Sequence, residues 1–166
     1  MREARGRAEA CDSFLAVDIS TLHELSRHSQ ALAQQLFSRF PEWRAYASAD
    51  RSGRELFIEV PSPSEDPARS LRLFVEDGVP CLVVGEWHTH ADLWPDEQHF
   101  LSFLDDVVSD RVLFLVVSTR AARWTVIEGP CLEVAMDVLT GPSAPDAVRI
   151  VSWTGAKDQT LRREDL

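Results

Sequence analysis

No Lys or Arg occurs between Leu73 and Asp110. That interval holds Glu76, Asp77, Glu86, Asp92, Asp96, Glu97, Asp105, Asp106 and Asp110, nine acids that nearly equal the net charge of −10. Such a field repels nucleic acid and anionic membrane and attracts a basic partner or a cation, so neither nucleic acid nor a membrane is the expected partner. A solvated acidic face that only aids solubility is the competing meaning. Cysteine is scarce as well. Cys11, Cys81 and Cys131 are three at wide spacings, without a CxxC or Cys/His finger pattern, which excludes a disulfide framework and a zinc finger. No apolar run approaches the roughly 18 residues of a membrane span. The start "MREARGRAEACD" is followed only by "FLAV", short of the apolar core of a signal peptide, and a reducing cytoplasm is the expected compartment. The seven glycines are scattered singly, so no phosphate-cradling loop is present, and no GxSxG selects a nucleophile. No catalytic residue is assigned.

What is present describes a folded α+β protein. With 166 residues, 45% of them hydrophobic and 27% charged, the chain suits one domain over 13–166 behind a flexible tail at 1–12. Leu22, Leu25, Ser29, Leu32 and Leu36 recur at spacings of three and four, predicting a helix over 21–39 with Thr21 and Glu24 as a capping box. "RELFIEV" (54–60), "SLRLFVE" (70–76) and "PCLVVGEWHTH" (80–90) predict strands, with a tight turn at "EDG" (76–78) making the last two a hairpin. "PDEQHFLSFLDDVVSD" predicts a second helix with Pro95 in its first turn, Phe100, Phe103, Leu104, Val107 and Val108 on its apolar face, and Asp105 and Asp106 on its polar face. "VLFLVV", "RWTVIE" and "AVRIVSW" complete the strands, and "PCLEVAMDVL" reads as a short helix or a strand, the helix being favoured. The expected fold is α+β, a mostly antiparallel sheet of about five to six strands with two main helices packed on one face.

Chemistry concentrates in "VVGEWHTHADLW" (83–94). If this stretch stays extended, Glu86, His88 and His90 share one face and Trp87 takes the other. Imidazole and carboxylate suit zinc, so Glu86, His88, His90 and Asp92 form an alternative metal set, in which Glu86 could act as base toward a metal-bound water in a hydrolase. Against this, side chains two apart on a strand stand about 6 to 7 Å apart, wide for shared coordination. The leading expectation is a protein-binding surface, formed by Glu86, His88, His90, Asp92, Trp94, Asp96, Glu97, Asp105 and Asp106, with no cofactor. Trp87 and Trp94 could anchor a partner or pack in the core, the core being favoured for Trp87.

Two resemblances bear on this stretch. "VVGEWHTH" resembles the His-x-His strand end of the JAMM/MPN metallopeptidases, but Ala91 stands where that family has proline and Leu101 where its third ligand, an aspartate, falls. Over roughly 20–160, "LFSRFPEW", "LFIEVPSPS", "EWHTHADLW" and "IVSWTGAKD" together resemble a group of small bacterial proteins with a Trp-His-x-His motif and a Ser-Trp-x-Gly-x-x-Asp tail, many similar to immunity proteins of polymorphic toxin systems. That resemblance implies a cytoplasmic protein that neutralises a cognate toxin by binding it, and the acidic interval makes a basic toxin domain the expected partner.

Overall fold

The computed structural model describes residues 19–118, 122–127, 131–142 and 144–165; the expected tail at 1–12 and most of the "STRAA" connection lie outside them. The fold is α+β, and every strand pairing is antiparallel. Strands Ala47–Ala49 (β1), Leu56–Val60 (β2), Leu71–Glu76 (β3), Val79–Val84 (β4) and Trp87–His90 (β5) form one sheet in that order. Strands Leu113–Ser118 (β6), Ala122–Ile127 (β7), Ala147–Val151 (β8) and Gln159–Arg162 (β9) form a second, ordered β7-β6-β8-β9. The helices are Arg27–Arg39 (α1), Glu97–Val108 (α2) and Cys131–Thr140 (α3). The expected mostly antiparallel sheet of about five to six strands is the first of these, and a second sheet of four strands accompanies it. The sequence reading misses β1, only three residues long, and β9, whose "QTLR" has no apolar alternation.

The expected 80–90 strand folds in half. Val84 pairs with Trp87 across a two-residue connection, Gly85-Glu86, with Gly85 at φ +60°, a conformation open to glycine at the first position of a hairpin turn. The preceding hairpin turns at Asp77 and Gly78, both at positive φ, as read from "EDG".

The inner face of the first sheet carries Ile58, Val60, Leu71, Leu73, Val75, Leu82 and Val84, which pack in one cluster with Leu32, Leu36 and Phe37 of α1 and Phe100, Leu101, Leu104 and Val107 of α2. Helices α1 and α2 therefore cover one face of this sheet, as their stripes demand. The favoured helix at "PCLEVAMDVL" is α3, and it packs Ala135 and Leu139 on Leu115, Val148 and Ile150 of the second sheet. Phe114 and Trp153 join the larger cluster, so the second sheet shares the core of the first.

Helix α1 begins later than the 21–39 reading. Residues Ile19–Glu24 are 3-10 helix, and Ser26, not Thr21, is the N-cap, accepting from the Ser29 amide at 3.2 Å. The reason lies across the chain. The Ser26 amide donates to the Arg54 carbonyl at 2.6 Å, and the hydroxyls of Ser26 and Ser29 donate to the Glu55 carboxylate at 2.8 and 2.7 Å. Fully buried Ser29 also accepts from the Leu56 amide at 2.9 Å, which pins the start of α1 to the start of β2. In α2 likewise, Asp96 is the cap and Pro95 precedes it, one residue outside the expected first turn.

The residues after β8 lock the two sheets together. Arg69, only 7% exposed, meets Asp158 at 2.6 Å and Asp66 at 3.0 Å and donates to the Ser152 carbonyl at 3.3 Å. Burial opposes the guanidinium charge, but Asp158 and Asp66 outweigh it and raise its pKa. Ser62 donates to the Trp153 carbonyl at 2.5 Å, and Asp158 accepts from the Ser152 amide at 3.0 Å. On the other flank, Asp110 accepts from the amide and hydroxyl of Thr154, while the Lys157 ammonium donates to its carbonyl at 2.7 Å. Gly155, at φ +81°, fits closely: a Cβ there would lie 3.0 Å from the Ser64 Cβ and 3.1 Å from Arg69 Nη1.

Removing Arg69 leaves Asp158 beside a buried carbonyl with no counter-charge. Arg69→Ala is expected to lower unfolding stability by about 3 kcal/mol, the low end for breaking a buried pair because solvent reaches both carboxylates. Urea denaturation checks this, and a loss under about 1 kcal/mol would show the ion pair to be dispensable.

Candidate functional site

The hairpin at Gly85 decides where the conspicuous side chains go. On β5, His88 and His90 face outward, their ring centroids 5.7 Å apart, while Trp87 faces the core against Phe103 at 5.4 Å and Phe114 at 5.5 Å. The predicted alternation of Trp87 against the two histidines therefore holds. Glu86 does not share it, because it is an exposed turn residue outside the strand.

His90 has a different partner. Cys81 lies directly across from it on β4, and the Cys81 sulfur is 3.0 Å from His90 Nδ1. The thiol is 2% exposed, and its pKa is pushed up to about 11 by burial first and then by the charge of Glu76. A thiol in that state is a poor nucleophile and a poor metal ligand near neutrality.

The alternative metal set is dispersed. Glu86 occupies the turn at one end of β5, whereas Asp92 lies past its other end in the 3-10 helix Ala91–Leu93. Four strand residues separate them, about 13 Å of rise. Among the described residues no group of three or more His, Cys, Asp or Glu side chains is placed to hold an ion.

The expected partner-binding residues fall into three places. Glu86 stands alone at its turn. Asp92, Trp94, Asp96 and Glu97 form a continuous segment from the 3-10 helix into the first turn of α2. Asp105 and Asp106 lie toward the far end of α2, where each has a local counter-charge: Asp105 meets Arg39 at 2.6 Å and Asp106 meets Arg111 at 2.6 Å. Asp110, counted in the acidic interval, is 5% exposed and belongs to the seam between the sheets. Of the remaining acids of this interval, Glu76, Asp77 and Glu86 are exposed at the end of β3 and in the two hairpin turns, whereas Asp92, Asp96 and Glu97 cluster before and at the start of α2, with His99 beside Asp96.

That segment is built on a fixed base. Trp94 packs at a tilt against Phe103 with ring centroids 4.7 Å apart, and its indole donates to the Thr89 hydroxyl at 3.2 Å, so it lies half-buried against the core. Asp96 caps α2, accepting from the His99 amide at 2.9 Å and facing His99 Nδ1 at 2.8 Å. The His99 amide first and its side chain second hold the Asp96 carboxyl below the usual range. Between Trp94 and Asp92 projects Leu93, 73% exposed, more so than Tyr46 and Leu132, the other large apolar residues in this state among the described ones. Leu93 was not singled out from the sequence, where a leucine beside tryptophan reads as core. A mixed-charge groove of about 370 Å³ adjoins the segment, with Asp92 and Glu97 among its lining and Arg27 and His28 on α1 opposite.

Comparison with family models, curated proteins and solved structures found no match to this chain. Among the described residues no helix is long and apolar enough to cross a membrane.

The Asp96 cap gives a pH signature. A lowered carboxyl pKa contributes stability that is fully present above the unfolded value and is lost as pH falls through the folded one. Wild type should therefore melt above Asp96→Ala near pH 6, and the gap should narrow as pH drops below about 4, the unperturbed aspartate range. Thermal melts from pH 6 to well below pH 4 check it; a gap that widens on acidification has the wrong sign for this cap.

The dispersed donor set gives another expected outcome. Protein equilibrated with zinc and then dialysed should retain far less than one zinc per chain by elemental analysis. Retention of about one, lost in His88→Ala/His90→Ala, would restore the metal set.

Proposed function

We propose that this chain is an immunity-like binding protein that neutralises a cognate toxin by docking a basic surface of it onto the acidic segment 92–97. The observation that carries the reading is Leu93, a 73% exposed leucine held between Asp92 and the Asp96–Glu97 helix start. An exposed apolar side chain within a charged rim is the pattern of an interface centre, where the apolar contact supplies affinity and the rim supplies steering. Trp94 supports it from below and gives the segment little to lose in ordering on contact. Asp105 and Asp106 extend the same sign of charge along α2, but Arg39 and Arg111 already offset much of their field. Glu86, His88 and His90 lie away from this centre, which gives them at most a peripheral part.

The test pairs the chain with candidate basic toxin domains drawn from its genomic neighbourhood. Leu93→Asp should weaken the complex at least thirtyfold, the size of an interface hot spot of about 2 kcal/mol, while leaving the melting temperature unchanged. Affinity should also fall between 50 and 500 mM salt, about one to two decades if several charge pairs form. Calorimetric titration reads both. A genuine complex indifferent to Leu93→Asp and to salt would remove this segment from consideration.

A further inference from the structure

Between the start of α1, the β3–β4 hairpin and the chain that leaves β5 lies a groove of about 370 Å³ whose walls differ in sign of charge. One wall is Arg27 and His28, the first two residues of α1; the other is Asp92, in the 3-10 helix after β5, and Glu97, the first residue of α2. The floor between them is apolar and small, with Val79 and Pro80 at the start of β4 and Ala91 beyond β5. Register sets this floor, since Cys81 opposite His90 carries Pro80 toward Ala91. The hairpin closes one end. Gly78, at φ +81°, supplies the turn, and a Cβ there would lie 3.7 Å from His28 Cδ2, so the imidazole rests on the turn.

Among the described residues none of Arg27, Asp92 and Glu97 takes part in an ion pair, so both signs of charge stay available across the floor. Helix α1 gains nothing from a cation in its first turn, where the macrodipole disfavours it. We propose that the groove binds a small aliphatic zwitterion, a molecule with an ammonium and a carboxylate at the two ends of a methylene chain. The ammonium donates to Asp92 and Glu97, the carboxylate accepts from Arg27 and the His28 imidazole, and the stem lies on Val79, Pro80 and Ala91. The pattern of signs sets the specificity. A simple cation gains at one wall and is repelled by Arg27, a simple anion meets the reverse, and only the zwitterion gains at both. The volume suits a molecule of this size, standing near the low end of small-ligand sites, about 300 to 1,000 Å³. The site needs no protein partner, although it shares Asp92 and Glu97 with the docking segment.

The probe is ε-aminocaproate, titrated into the whole chain without a partner and followed by amide NMR. Saturable shifts centred on Gly78, Val79 and Asp92 are expected, with a Kd on the order of 1 mM, usual for so few non-hydrogen atoms. n-Hexylamine and hexanoate, which carry one of the two charges each, should bind about tenfold or more weakly. Arg27→Gln and Glu97→Gln, both at the protein surface, should each weaken the zwitterion about tenfold, and Arg27→Gln should also bring n-hexylamine level with it, because the repulsion that separates them is gone. A peptide ending in lysine with a free α-carboxylate presents the same charges on the same stem. Tighter binding than the probe assigns the natural source to a protein C-terminus, weaker binding to a free molecule, and either supports the site. Absence of shifts at these amides up to tens of millimolar probe contradicts the proposal. So does n-hexylamine binding the unaltered chain as tightly as ε-aminocaproate, which would leave only an acidic patch. Neither result bears on Leu93→Asp in the toxin complex, so the two readings fail separately.

Discussion

The interaction on which the fold most depends is the pairing of Arg69 with Asp158. It joins the loop between β2 and β3 to the loop after β8, and so fixes one sheet against the other across a seam. A guanidinium 7% exposed is costly to bury, and the cost is met by two carboxylates and a backbone carbonyl converging on it. Around it, Ser62, Ser152, Thr154 and Lys157 satisfy groups that the seam would otherwise strand. The indole of Trp153, whose carbonyl takes part, extends into the main cluster, so polar lock and apolar core share a residue. Its Nε1 is buried with no hydrogen-bond partner among the described residues.

The same constraint separates structural acids from available ones. Asp66, Asp110 and Asp158 are committed to the seam, Asp105 and Asp106 to arginines on neighbouring elements, and Asp96 to the cap of α2. A net charge of −10 therefore overstates the field that a partner would meet. Of the acids that are left, Asp92 and Glu97 lie where the chain turns from β5 into α2, and there Leu93 projects. Because Trp94 and the cap hold this turn, the segment can present an apolar side chain without being loose.

Periodic elements were legible in the sequence and long-range ones were not. The stripe of α2 follows from a 3.6-residue repeat, which selects the buried Phe100, Phe103, Leu104 and Val107 and the partly buried Val108; buried Leu101 lies in the same core cluster and widens that face. The fold at Gly85 escaped notice because two residues suffice to reverse the chain and the apolar run continues on either side. The seam was invisible for another reason: Ser62 and Trp153 are 91 positions apart and Asp110 and Thr154 are 44 apart, so no local pattern announces them. The tail "SWTGAKD", part of the resemblance to immunity-like proteins, has a structural task at each matching position. Ser152 and Asp158 bond the seam, Trp153 packs the core, and Gly155 admits Ser64 and Arg69. That pattern accordingly speaks for how the chain folds, while the case for a partner rests on 92–97.

Histidines drew attention first, but they are the less informative part of the site. His88 is an exposed strand residue and His90 is turned toward a buried thiol, whereas the chain three residues on leaves a leucine in water among acids. The most direct measurement of the proposed role is amide hydrogen exchange of the whole chain, alone and with its cognate toxin domain in excess. Slowed exchange centred on 91–98, with the outer face of β4 and β5 unchanged, is the predicted result. Protection confined to β4 and β5, or to the β9 edge, with 91–98 exchanging as in the free protein, would contradict it.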